Sequence, residues 1–149
     1  SGDEARLTAL LERGIVNVLA VDKSEITALH LAASGGYIKL VRLLSKHDAD
    51  LNAQDEDGWT PVYTTAVDKD KDIEEGVRVE VLKVLHELGG NMNTPDNEGK
   101  TPVWAAAEGG YVEVVKALGE LGADIVSTDE DGKTPLEVAM ACDTDDEEL

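Results

Sequence analysis

Two kinds of short apolar run alternate along this chain. In the first, apolar residues recur three and four positions apart, the spacing of one helix face: Ala5, Leu7, Leu10 and Leu11, then Ile38, Val41, Leu43 and Leu44, then Val81, Leu82, Val84, Leu85 and Leu88. The second kind is shorter, opens at a threonine and is rich in small residues; it follows Thr27, Thr60, Thr101 and Thr134. A Gly-Gly pair, Gly35-Gly36 and again Gly109-Gly110, separates the short run from the long one, and a polar turn such as Asp55-Glu56-Asp57-Gly58 precedes each threonine. The pattern predicts a helix over residues 3–13, acidic at its start and ending in Arg13, as the helix dipole favours. It predicts short inner helices beginning at the threonines, the first ending near residue 34, and outer helices over residues 37–46 and 77–88. A threonine at the helix start can accept a hydrogen bond from an orphan amide, worth about 1 kcal/mol, and Pro61 suits the first turn. In the last short run Thr134 and Glu137 stand at the spacing of a capping box.

The four threonines lie 33, 41 and 33 residues apart. Aligning Ala66 with Ala107 and Val81 with Val114 confines the eight extra residues to 68–75, Asp-Lys-Asp-Lys-Asp-Ile-Glu-Glu, between an inner and an outer helix. One unit, such as residues 96–124, has no partner for its apolar faces, so it reads as a link in a stack. Shifting by 33 places Leu10-Leu11 on Leu43-Leu44 and Val18 on Leu51, so the chain opens with half a repeat that caps the stack. After Cys142 five of the seven remaining residues are acidic and no second apolar run follows, so the fourth repeat reads as truncated. The expected divisions are a half repeat over residues 1–23, repeats over 24–54, 55–95 and 96–128, and a truncated repeat with an acidic tail over 129–149, all within one domain.

Around the threonines the chain reads Thr27-Ala28-Leu29-His30-Leu31-Ala32, Thr60-Pro61-Val62-Tyr63, Thr101-Pro102-Val103-Trp104-Ala105-Ala106 and Thr134-Pro135-Leu136-Glu137-Val138-Ala139. These segments, their period and exits such as Gly122-Ala123-Asp124 resemble the ankyrin repeats. The resemblance covers nearly the whole chain. It implies an all-α solenoid of about four repeats with β-hairpin fingers and an N-terminal half-repeat cap, and it implies that His30 bonds the turn of its own repeat. The departures are Tyr63, Trp104 and Glu137, which replace that histidine in later repeats, and the insertion. The implied role is to bind another protein on a concave surface built from finger tips and inner helices, with no catalytic activity and no cofactor.

Composition narrows this reading. Phe is absent and aromatics make up 3% of the chain, so the core must be aliphatic. With 32 acidic and 13 basic residues, the net charge is −19. Such a surface repels phosphodiester backbones and anionic membranes and speeds the approach of a Lys/Arg-rich protein or peptide. No apolar run approaches the length of a membrane span. Cys142 is the only cysteine, which excludes an internal disulfide and points to a reducing compartment; a monomeric, intracellular (cytoplasmic or nuclear) part of a larger protein is expected.

The expected partner contacts come from equivalent finger positions: Lys23, Ser24 and Ile26; Glu56, Asp57 and Trp59; Asn97, Glu98 and Lys100; Glu130, Asp131 and Lys133. Tyr63, Trp104 and Glu108 from the inner helices join them. Trp59, directly after the finger glycine Gly58, is expected to project from the finger instead of entering the core and to remain partly in water as the leading contact. Tyr63 and Trp104 should lie between repeats with an edge at the groove.

A narrower alternative is a reader of a basic, histone-like tail, unmodified or methylated. Gly58-Trp59-Thr60-Pro61 is similar to a motif of ankyrin domains that read methyl-lysine, although Trp104 stands one position away from where such a cage would want it. A third reading, from another class, is a calcium-responsive module built on Asp68, Asp70 and Asp72. It conflicts with Ile73 and Val79 at the places where a calcium loop needs Gly and a bidentate Glu. His30, His47 and His86 lack second ligands at metal spacing. The insertion itself is expected to be a surface loop dispensable for folding.

Overall fold

A computed structural model describes residues 2–14, 17–67 and 73–145 of the chain. Eight helices run through them: α1 (Gly2–Glu12), α2 (Ala28–Ser34), α3 (Ile38–Lys46), α4 (Pro61–Val67), α5 (Glu75–Glu87), α6 (Pro102–Glu108), α7 (Val112–Glu120) and α8 (Pro135–Asp145). The inner helices α2, α4 and α6 have 7 residues each, too few to persist alone in water. They stand because they pack on one another. α2 lies against α4, α4 against α6 and α6 against α8, while the outer layer runs α3 to α5 to α7. This is the ankyrin solenoid that the repeat pattern predicts.

The side chains follow from that geometry. Ala32, Ala33, Ala66, Ala106, Ala107 and Ala139 are buried on the inner helices, where backbones approach closely. Leu29, Val41, Leu44, Val62, Val81, Leu82, Leu85, Val103, Val114, Val115 and Leu118 fill the space between layers, so one contiguous aliphatic core forms without any phenylalanine. Leu11 of α1 joins it from the N-terminal side.

Each finger is a tight turn organised by an aspartate. Asp22, Asp55, Asp96 and Asp129 each accept, through Oδ1, two backbone N–H groups two and four residues ahead, all at 2.9–3.0 Å. The backbone closes beneath them, with Asp55 N–H donating to Trp59 O at 3.0 Å and Asp96 N–H to Lys100 O at 2.9 Å. The fingers expected as β-hairpins contain no paired strands among the described residues; the single antiparallel bridge joins Val21 and Thr27. A turn whose carboxylate occupies its own amides needs no ladder to hold it.

Two rows of bonds tie repeat to repeat. At the tips, Glu56 N–H donates to Ser24 O and Asn97 N–H to Asp57 O, both at 3.0 Å, and the Asn97 amide donates to Glu56 O at 2.8 Å. At the exits, Asn91 N–H donates to Asn52 Oδ1 at 2.8 Å and Asp124 N–H to Asn93 Oδ1 at 3.3 Å. The next equivalent position is Val126, which is 80% exposed.

The described end of the insertion is no solvent loop, which corrects the expectation made from length alone. α5 has 13 residues against 9 for α3 and α7 and starts one turn earlier, at Glu75, the last residue of the insertion. That turn packs on both neighbouring repeats. Val77 and Ile73 cover Gly36, where an added Cβ would fall 2.8 Å from Val77 Cγ1 and where φ is +75°. Glu75 Oε1 accepts from Val114 N–H at 3.0 Å, supplying the N-terminal cap that Tyr111 does not give α7. Arg78, 3% exposed, donates to Thr65 O at 2.8 Å and lies 5.1 Å above the Tyr111 ring. The aspartates of the calcium reading, Asp68, Asp70 and Asp72, lie outside the described residues.

Candidate functional site

Fingers two and three, with the start of α4 between them, enclose a hollow of about 400 Å³ lined by Asp57, Trp59, Tyr63, Asp96, Asn97, Glu98 and Lys100. Its construction begins at Thr60. The Thr60 hydroxyl caps α4 by accepting from Tyr63 N–H at 3.2 Å, which sets Tyr63 one turn into the helix and aimed at the next repeat. The phenol crosses the junction and donates to Asp96 Oδ2 at 2.7 Å. Asp96 is thereby doubly used, since its Oδ1 holds the amides of Glu98 and Lys100 at 2.9 Å.

Trp59 forms a wall of the hollow. Its backbone is fixed on both sides, N–H to Asp55 Oδ1 at 2.9 Å and carbonyl to His30 Nε2 at 2.8 Å. Its ring stacks on Tyr63 with centroids 5.0 Å apart and planes 29° from parallel. The indole is half-buried against Tyr63 and stays on the finger, partly in water and outside the aliphatic core. Tyr63 itself is 2% exposed and acts as a backing for the site more than as an open surface. Gly58 makes this closeness possible. Its φ is +82°, and a Cβ there would strike Asn97 Oδ1 at 2.5 Å and Asn97 N at 2.7 Å.

The charges sort themselves within the hollow. Burial acts to raise the Asp96 carboxyl, but the Tyr63 hydroxyl and the Lys100 and Glu98 amides outweigh it and hold the group below its ordinary value. Burial first, then the bond to Asp96, pushes Tyr63 above the usual phenol value. Lys100 turns to Glu108, Nζ to Oε2 at 2.7 Å, and that bond outweighs partial burial to hold the ammonium above its ordinary value. The carboxylates of Asp57 and Glu98 make no hydrogen bond or ion pair among the described residues and stay exposed. What the arrangement offers a ligand is two free carboxylates beside an aromatic wall.

The other expected contacts divide. Glu56 sits at the rim, with its carbonyl holding the Asn97 amide, so that amide serves the finger junction and is not free for a partner. Ser24 likewise contributes its carbonyl to the finger row. Lys23 and Ile26 belong to the first finger, and Glu130, Asp131 and Lys133 to the fourth; none lines the hollow. Glu108 reaches it only through Lys100. Trp104 packs partly buried against the core and is absent from the lining, so the hollow contains only Trp59 and Tyr63 as aromatic walls. Asp96 was not among the expected contacts. Its signal was the aspartate recurring at 22, 55, 96 and 129, together with a phenol one period before it.

Among the described residues no group of three His, Cys, Asp or Glu could hold a metal ion, and no described helix is long and apolar enough to cross a membrane. Cys142 is half-buried, its Sγ 3.9 Å from Ala107 O and Glu108 O, and its Cβ rests on the Gly110 turn.

Comparison with known proteins gives a consistent picture. Residues 10–63 match a family described as ankyrin repeats (many copies), and residues 73–147 one described as ankyrin repeats (3 copies). Human protein phosphatase 1 regulatory subunit 27 is 29% identical over 101 residues, which is 68% of this chain and 60% of that protein. The mouse protein phosphatase 1 regulatory subunit 12A is 41% identical over 56 residues, 38% of this chain and 5% of that protein. The bovine inactive serine/threonine-protein kinase TEX14 is 35% identical over 109 residues, 72% of this chain and 7% of that protein. The chain thus spans a little over half of the first of these relatives and a small part of the other two.

Proposed function

The chain belongs to the ankyrin repeat family, whose repeats mediate protein–protein interaction, and on that premise we propose that it is a non-catalytic module binding a Lys/Arg-rich protein or peptide, centred on fingers two and three. The observation that carries this reading is the hollow itself. Its acids outnumber its cations three to one, its single cation is drawn to Glu108, and an indole stands beside two unpartnered carboxylates. The −19 charge acts in the same sense at longer range, speeding encounter with a basic partner. An intracellular setting goes with the proposal.

Two of the relatives are named as regulatory subunits of protein phosphatase 1, which makes that phosphatase the first protein to assay as a partner. Binding is to be measured against it and against matched Lys/Arg-rich, neutral and acidic peptides. Raising salt from about 0.05 to about 0.5 M should lower the association rate more than it raises dissociation. Trp59→Ala should weaken binding about 30-fold, equivalent to ~2 kcal/mol. Equal affinity for basic and neutral peptides, indifferent to salt, would sink the reading.

A further inference from the structure

We infer that the hollow between fingers two and three takes an arginine side chain from the partner in preference to a lysine. The inference rests on the reading of the chain as a binder of basic proteins and goes one step further, to which cation the site is built for.

Three features of the hollow bear on the choice. The first is the disposition of acceptors. Asp96 is occupied at both oxygens, by Tyr63 and by two backbone amides, so the carboxylates left for a ligand are Asp57 and Glu98, one on each finger. A group meeting both needs donors pointing several ways from one plane. Guanidinium carries five N–H donors in a rigid fork, whereas an ammonium is a compact point charge with three rotatable donors.

The second feature is the wall. Trp59 is held by bonds at its own N–H and carbonyl, and its ring is backed by Tyr63 at 5.0 Å. A fixed flat ring favours a flat cation that can stack on it and is weakly hydrated, and arginine satisfies both conditions better than lysine.

The third is the neutralising residue already present. Lys100 lines the hollow yet spends its ammonium on Glu108 at 2.7 Å. The site's own ammonium is thus paired with Glu108, and neither Asp57 nor Glu98 has an ion pair of its own. A volume of about 400 Å³ has room for an arginine stem, its head and bridging water.

The test uses the full chain and one Gly/Ser peptide carrying a single arginine, lysine, trimethyl-lysine or citrulline at its centre, titrated at about 0.15 M salt. Arginine should bind about tenfold tighter than lysine, and citrulline, flat but uncharged, should bind weaker than either. In Trp59→Leu the arginine preference should collapse to near parity while charge-driven affinity survives. The exposed pair Asp57→Asn with Glu98→Gln should weaken both cationic peptides and leave the fold's melting curve unchanged. Equal affinity for arginine and lysine, or tightest binding by trimethyl-lysine, overturns the arginine inference while leaving a basic partner in place. Citrulline binding as well as arginine overturns both readings, because charge would then have no part in recognition.

Discussion

His30 and Tyr63 occupy the same place one period apart, and each reaches across a repeat junction to do a different job. His30 accepts from Thr27 N–H through Nδ1 at 3.2 Å, which leaves its proton on Nε2, and that nitrogen donates to Trp59 O at 2.8 Å. The bond is neutral, buried and ends on the backbone. Tyr63 is longer, passes the backbone of the next finger and ends on the Asp96 carboxylate at 2.7 Å. The first junction is closed on itself; the second sets a carboxylate and a stacked indole at the surface on a buried phenol. Reach alone separates a position that holds the stack from one that also shapes a site. The fourth member of the series supports this. Glu137 turns back on its own repeat, its Oε2 accepting from Thr134 N–H at 2.8 Å.

The widest test of the contrast is His30→Ala. It removes a fully buried ring and leaves the buried Thr27 amide without a partner, while the Trp59 carbonyl keeps only Asp55 N–H, so stability should fall by about 3 kcal/mol in urea titration. A loss as small as that expected for Tyr63→Phe would remove the distinction between the two junctions.

Glu75→Ala sharpens the comparison by moving off the inner layer. It deletes a cross-repeat cap on α7 and should cost about 1 kcal/mol. No change would mean that the added turn of α5 only covers its neighbours, and that deleting residues 68–75 is tolerated after all.

Tyr63→Phe should cost about 1 kcal/mol or slightly less near neutral pH, with a distinctive pH signature. The folded state holds the phenol's proton above its ordinary value of 10.0. The stability it contributes is therefore complete below that value and is lost as pH rises through the folded-state value. From about pH 10 upward the wild-type protein should lose stability that the Phe variant does not. Parallel curves would show that the phenol titrates as if free.

The smallest effect belongs to Asp96→Asn. Asp96 is held below its ordinary carboxyl value, so its contribution is present above that value and disappears as pH falls through the folded-state one. The Asn variant should match wild type at low pH and fall slightly behind it at neutral pH. A gap that instead widened on acidification would reverse the assigned direction.

The stack was legible in the chain because its signals are local and repeated. A threonine, a proline and a run of alanines, copied in phase, state the inner helices and their close packing without reference to anything distant. The length of α5 was nearly legible, residues 77–88 against the observed Glu75–Glu87, but its start inside the polar insertion and the seating of Ile73, Glu75 and Val77 on other repeats were not, because those contacts lie far off in sequence. The site fared in the same way. Asp57, Trp59, Asn97, Glu98 and Lys100 could be named from finger position, but their division into free and committed groups depended on contacts spanning a whole period: Tyr63 to Asp96, Asn97 to Glu56. Trp59 was named from its place after Gly58, but its stacking on Tyr63, four residues on, depends on the Thr60 cap that sets where α4 begins.

The two rows of bonds between repeats, one along the finger tips and one along the exits, have a mechanical consequence. A tensile load applied through the chain ends must pass from unit to unit, and where both rows are present it is shared between two separated lines of attachment. Through the first three repeats Ser24, Glu56, Asp57 and Asn97 hold one line and Asn52 with Asn93 the other. Beyond them, among the described residues, the fourth finger has no bond to the third, and the load falls chiefly on the packing of α8 against α6 and α7. With the molecule pulled from its ends, the fourth repeat should part from the third before the three bonded repeats part from one another, in an early rupture that leaves the hollow intact while those repeats still bear force.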